Sequence, residues 1–233
     1  MEVLRHFPRQ VLFLIGTTRV CALSGNPSGL TDRMIDTKTS GGFERFVRYL
    51  DLARNGDATV QRSIFEYGTA ASAHLATMLS PAVSSEEYFR RFSKDFSYAE
   101  LQQLRAGGPL PWEFLDRLVT VVIQISKVLF VEHPATTQKP PFEELPNTFI
   151  FRWTLCSFLL ELERKRTGGR QNAKAKILRN DVVDMTFAAY GTYFDGLMTT
   201  DAIARLIHDQ ASRFLAELFR CDTPAARFHA PTS

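Results

Sequence analysis

Asp181, Asp184, Asp195 and Asp201 crowd into one segment, RNDVVDMTFAAYGTYFDGLMTTD, in the last third of the sequence. If such carboxylates converge in space they repel one another unless a cation joins them. Hard oxygen donors of this kind select Mg2+ or Mn2+. Asp181 and Asp184 are three positions apart and share one face of a helix. A helix over Asp181–Phe194 carries both in its first turn, where the N-terminal dipole favours negative charge, so capping alone also accounts for the pair. Asp201 follows a short apolar stretch, Gly196–Thr200, that reads as a strand. A helix of about four turns, a tight loop and a returning strand bring the strand's end back beside the helix start. Asp184 and Asp201 are therefore expected to meet, at the kind of strand end where α/β sheets hold their ligands.

A basic run leads into this acidic segment. Arg164, Lys165, Arg166, Arg170, Lys174, Lys176 and Arg179 lie immediately before it. A phosphate-rich substrate approaching a bound cation would meet them first. Taken alone, the same run is equally a solvated linker.

These groups need elements to position them. VLFLIGTTRV (Val11–Val20) opens with a short apolar run and closes with Gly and two Thr, as a buried strand of a parallel sheet does. Helical spacing then dominates. Phe43, Phe46, Val47, Leu50 and Ala53 share a face, and Val60, Ile64, Tyr67, Ala71 and Leu75 continue the pattern over Thr59–Leu79. Pro81 ends that helix, and Ser84-Ser85-Glu86-Glu87 resembles the capped start of another. Further helices are expected over Tyr98–Arg105, Trp112–Glu132, Thr148–Arg166 and Ala202–Phe219. Strand, helices, helix, strand, helix is an α/β order: a small parallel sheet surrounded by many helices.

The stretch Asp184-Met-Thr-Phe-Ala-Ala-Tyr, followed by Leu197-Met-Thr-Thr-Asp201, resembles the C-terminal half of PIN-like nucleases (the PIN domain). In that family an Asp opens an Ala-rich helix and a second Asp closes a short strand ending Thr-x-Asp. Thr199 and Asp201 match the latter, and Asn180-Asp181 resembles a version of the motif with an additional acid. The resemblance implies a single PIN-like domain over residues 1–233, with a large helical insertion at about 80–165. It also implies a metal-dependent nuclease, most often an endoribonuclease of the toxin or defence-effector kind. Asp184, Asp201 and Asp181 would hold Mg2+ or Mn2+, and Glu66 is available as the family's acid on an early helix. Thr199 or Thr17 would position water or metal. The sequence departs from the family at Gly16, which stands where a first-strand Asp is expected; Asp36, in Met-Ile-Asp-Thr, is the candidate substitute. That departure leaves two alternatives, a catalytically impaired scaffold or protein-interaction module, and a related DNA nuclease.

Composition restricts the remaining classes. With 45% hydrophobic and 23% charged residues the chain belongs with folded proteins. A net charge of +3 is too small to establish nucleic-acid binding by itself, so the distribution of charge carries that expectation. Cys21, Cys156 and Cys221 are far apart and the five histidines are scattered, which argues against a zinc centre or a disulfide framework and for the cytoplasm. Val11–Ile15 is far too short to span a membrane. The expected partner is nucleic acid, RNA in preference to DNA, with a homo-oligomer or an inhibitor protein as further options.

Overall fold

The computed structural model describes residue 6 and residues 11–38, 42–77, 87–136, 138–168 and 175–219. Its elements are α1 (Thr17–Cys21), α2 (Leu30–Met34), α3 (Phe43–Arg54), α4 (Ala58–Thr77), α5 (Tyr98–Ala106), α6 (Trp112–Glu132), a 3-10 turn (Phe142–Asn147), α7 (Phe149–Arg166), α8 (Ala175–Gly191) and α9 (Ala202–Phe219). Residues 87–93 are also helical.

The α/β expectation is overturned. Among the described residues no strand forms, and β pairing is limited to an isolated antiparallel bridge between Leu14 and Ile35. There Ile15 N donates to Met34 O and Asp36 N to Phe13 O, at 2.8 and 2.7 Å. Val11–Ile15 is half-buried or exposed, with Leu12 at 52% exposure, whereas a central parallel strand must be covered on both faces. Gly16 then caps α1 instead of ending a strand. Gly196–Thr200 forms no strand. A strand needs a neighbour, and the chain's long apolar segments are helices.

The most apolar of these segments forms the centre. In α7 the run Phe149-Ile150-Phe151, continued by Leu155, Cys156 and Phe158-Leu159-Leu160, is buried on nearly every side. A helix apolar all round belongs inside a bundle. Accordingly α5, α6, α8 and α9 all pack on α7, and α8 packs on α9. Edge-on rings join the layers: Phe96 lies 5.2 Å from Phe114 and 5.7 Å from Phe158. Emptying such a position to Ala costs about 3–5 kcal/mol. The segment from about 80 to 165 thus supplies the bundle's central helix. α3 packs chiefly on α4.

Local signals set the helix ends. Ser97 and Glu100 form a capping box at α5, and Gly107, at φ 73°, closes it in the left-handed region. Thr148 caps α7. α8 differs from expectation: Ala-Lys-Ala-Lys-Ile-Leu are good helix formers, so the helix starts at Ala175 and not at Asp181. Asp181 and Asp184 consequently sit in mid-helix, where the N-terminal dipole gives them no support. Pro81 and the Ser84–Glu86 cap lie outside the described residues. No helix among the described residues is long and apolar enough to cross a membrane.

Candidate functional site

α8 leads into a loop, residues 192–201, that returns along the helix before α9 begins. Two contacts fix the outcome. Asp184 lies beside Asp201, and Gly191, seven residues on, lies against His208, seven residues beyond Asp201. α8 and α9 therefore run in the same direction, joined by the loop at residues 192–201. This is the return that was expected to bring Asp184 and Asp201 together.

Asp201 is the N-cap of α9. Its Oδ1 accepts from the backbone N–H groups of Ile203 and Ala204, both at 2.8 Å, and its own N–H donates to Thr199 Oγ1 at 3.0 Å. Capping with one oxygen fixes the carboxylate's orientation. Asp184 is half-buried, and its carboxyl is held above the ordinary aspartate range, first by burial and then by the negative charges of Asp201 and Asp181. The three aspartates border a cleft of about 150 Å³ together with Glu163, Arg164 and Ile203. Among the described residues, no three Asp, Glu, His or Cys side chains are grouped so as to enclose a metal by themselves.

The basic run at the end of α7 is engaged within the protein. Arg164 donates through Nη2 to Asp181 Oδ2, and its Nη1 is 3.8 Å from Glu161 Oε2. Arg166 is bound in bidentate fashion by Glu163, at 2.8 Å on both oxygens. Lys165 Nζ donates to Ser93 O and Phe96 O, at 2.7 and 2.6 Å, fastening α7 to the end of helix 87–93. These three side chains face their own protein. Lys176 and Arg179 belong to the first turns of α8, while Arg170 and Lys174 lie outside the described residues.

Other expected site residues are placed elsewhere. Glu66 is exposed on α4 and does not line the cleft. Asp36 follows the Leu14–Ile35 bridge, where its Oδ1 accepts from Lys38 N at 3.0 Å. Thr17 opens α1 and accepts a hydrogen bond from Tyr190 OH at 3.3 Å, toward the far end of α8 from Asp184. Thr199 is two residues before Asp201 and serves its turn. Asp195 is exposed in the return loop.

The residue that sequence reading missed is Arg152. It is 3% exposed and engages only neutral acceptors: Pro146 O at 3.1 Å, Asn147 Oδ1 at 2.9 Å, Thr192 O at 2.7 Å and Thr192 Oγ1 at 3.1 Å. Its guanidinium carbon also lies 3.8 Å from the centre of the Tyr193 ring. It thereby anchors the start of the return loop to α7. The available signal was an Arg inside the apolar run FIFRWTLCSFLL, since a charge so placed must be buried and satisfied.

Cys21 and Cys156 are free, buried thiols whose pKa values burial pushes up to about 12. The chain matches no protein-family model, no curated protein and no solved structure.

Proposed function

We propose that the protein is a divalent-metal-dependent nuclease acting on RNA, with its centre at Asp184 and Asp201. The observation that carries this reading is their meeting across the return loop, with Asp184 desolvated beside two further carboxylates. On this reading Asp184 and Oδ2 of Asp201 would hold Mg2+ or Mn2+, which commonly takes one or two carboxylates and completes its shell with water. When bound, the ion would activate a water and stabilise the leaving oxygen of a phosphodiester. The chain's own contribution is orientation. The α9 cap fixes Asp201, and Arg164 places a guanidinium at the cleft edge, where a phosphate would lie. The likeness of the Asp184–Asp201 segment to PIN-like nucleases is one of sequence alone, since Asp184 stands in mid-helix and no strand leads to Asp201; the reading depends on the site and not on a sheet. Free thiols at Cys21 and Cys156 favour a reducing, cytoplasmic setting.

A second reading, a protein-interaction scaffold without catalysis, is favoured by the engagement of Arg164, Lys165 and Arg166 within the fold. One experiment separates the two. Total RNA, tRNA and single-stranded DNA are incubated with the protein in Mn2+, alongside Asp184→Asn and Asp201→Asn. Asn caps a helix about as well as Asp, so Asp201→Asn removes charge while preserving α9. Metal-dependent cleavage of RNA that both variants abolish supports the nuclease. Undiminished cleavage by Asp201→Asn, or no Mn2+ uptake by the parent, refutes it.

A further inference from the structure

Tyr98, Gln102 and Arg105 recur at i, i+4 and i+7 along α5 and share its solvent face, while Leu101 and Leu104 turn to the core. The Tyr98 ring is 61% exposed, and its hydroxyl accepts from Gln102 Nε2 at 2.5 Å, which ties the ring to the next turn. A single exposed ring is ordinary, but the charge around this one is not. Glu163 receives two guanidiniums beside it. Arg166 takes both carboxylate oxygens at 2.8 Å, so that negative charge is already met. Arg105 stands 3.5 Å from Oε1, with its side chain 41% exposed, and is the surplus cation. Arg166, whose pKa Glu163 raises first, is also within electrostatic reach of Tyr98. Lys165 Nζ donates to the carbonyls of Ser93, Lys94 and Phe96, neutral acceptors that satisfy its hydrogen bonds without cancelling its charge. Lys94 is exposed in the same turn, next to the exposed Asp95. Glu100, on the same helix, is engaged by Ser97 and Arg117. Cations therefore prevail around Tyr98.

We infer that this face of α5 is a docking surface for single-stranded nucleic acid, with a base stacked on Tyr98 and neighbouring phosphates on Arg105 and Lys94. Every base presents a π face, so a ring of this kind accepts a strand whatever its sequence. From Tyr98 to Arg105 the helix advances about 10 Å, room for one stacked base and the phosphates beside it. The Gln102 amide between them offers both a donor and an acceptor to a base edge. Arg105 gives up little by turning to phosphate, because the carboxylate it approaches is already held by Arg166, and its planar fork matches phosphate oxygens. The surrounding field draws a polyanion in from solution. An acidic peptide would use the same cations but leave the exposed ring idle, which favours nucleic acid. Glu163 also borders the cleft of Asp184 and Asp201, so the surface adjoins that cleft. The inference does not depend on a metal there.

The test is fluorescence anisotropy of the full chain in EDTA with a labelled single-stranded RNA of about twelve nucleotides, over a series of salt concentrations. The parent is expected to bind, with an affinity that falls as salt rises. Tyr98→Ala should weaken binding about tenfold at fixed salt, and Tyr98→Phe should stay within about twofold of the parent. Arg105→Gln should reduce the log–log salt slope by about 0.7. Arg62→Gln, which removes the same charge from the exposed side of α4, should match the parent in both respects. All these positions are exposed, so the variants should melt as the parent does. No binding by the parent, a Tyr98→Ala affinity equal to the parent's, or a slope reduced equally in Arg62→Gln overturns the inference. Displacement of the RNA more readily by polyglutamate than by unlabelled RNA also overturns it, and makes the face a site for acidic protein. With no metal present, these outcomes leave the reading of Asp184 and Asp201 untouched, and a failure of Mn2+-dependent cleavage leaves this surface standing.

Discussion

Arg152 is where a single substitution should cost the fold most for its size. Replacing it with Met keeps much of the aliphatic stem and removes the guanidinium. Pro146 O, Asn147 Oδ1 and Thr192 O, which accept from it at 3.1, 2.9 and 2.7 Å, then lose their donor in a buried setting. Each buried acceptor left without a partner costs about 1–3 kcal/mol. The stacking on Tyr193 is lost too, while relief from burying a charge returns part of the total. The expected net loss is about 3–5 kcal/mol. In urea the midpoint should fall with the slope unchanged, and in a chain of this length Tm should drop by roughly 10 °C. Arg152→Lys should recover only part of this, because an ammonium cannot serve acceptors on three sides of a planar fork. Since Arg152 ties Thr192 at the start of the return loop to Asn147 before α7, the Met variant should also loosen the return loop that leads to Asp201. A loss below about 1 kcal/mol would be the cost of an ordinary surface change and would refute the anchoring role.

Asp184 carries a pH signature. Its carboxyl sits above the ordinary range in the folded state, so the folded chain holds that proton to higher pH than the unfolded chain, and this group's ionisation lowers stability as pH rises. Asp184→Asn should therefore raise Tm in chelator at pH 7, with the difference vanishing on acidification below the ordinary aspartate range; a lower Tm at pH 7 contradicts this. The glycines Gly16 and Gly25 should behave oppositely. A Cβ at Gly16 meets nothing within 4 Å and φ is −56°, so Gly16→Asp should add a helix cap worth about 0.3 kcal/mol without changing Mn2+ affinity. A Cβ at Gly25 would fall 2.0 Å from Glu144 O, so Gly25→Ala should lose about 3 kcal/mol or more by urea titration. Cys21 and Cys156, with pKa values pushed up to about 12, should resist alkylation at pH 8 until denaturant unfolds the chain; prompt labelling of native protein would contradict their burial.

Helices were legible in this sequence because their signals are local. Trp112–Glu132 and Ala202–Phe219 have the bounds their spacing implies, and the Thr148 cap fixes the start of α7. The sheet was misread for the converse reason. Val11–Ile15 and Gly196–Thr200 are short apolar stretches suited to strands, yet a strand exists only where a partner offers its ladder, and no short segment encodes its partner. The approach of Asp184 to Asp201 survives this error because a ten-residue connection is long enough to carry the chain back along the helix whether or not it pairs as a strand. A helix, a return and a cap suffice to bring the chain back. Charge was the least legible property. Seven basic residues before an acidic motif suggest a surface turned toward phosphate, but a charge run does not say whether a guanidinium faces solvent or a carboxylate of its own chain. Arg164 faces Asp181. The residue that looked like a substrate contact is engaged by a carboxylate of its own protein.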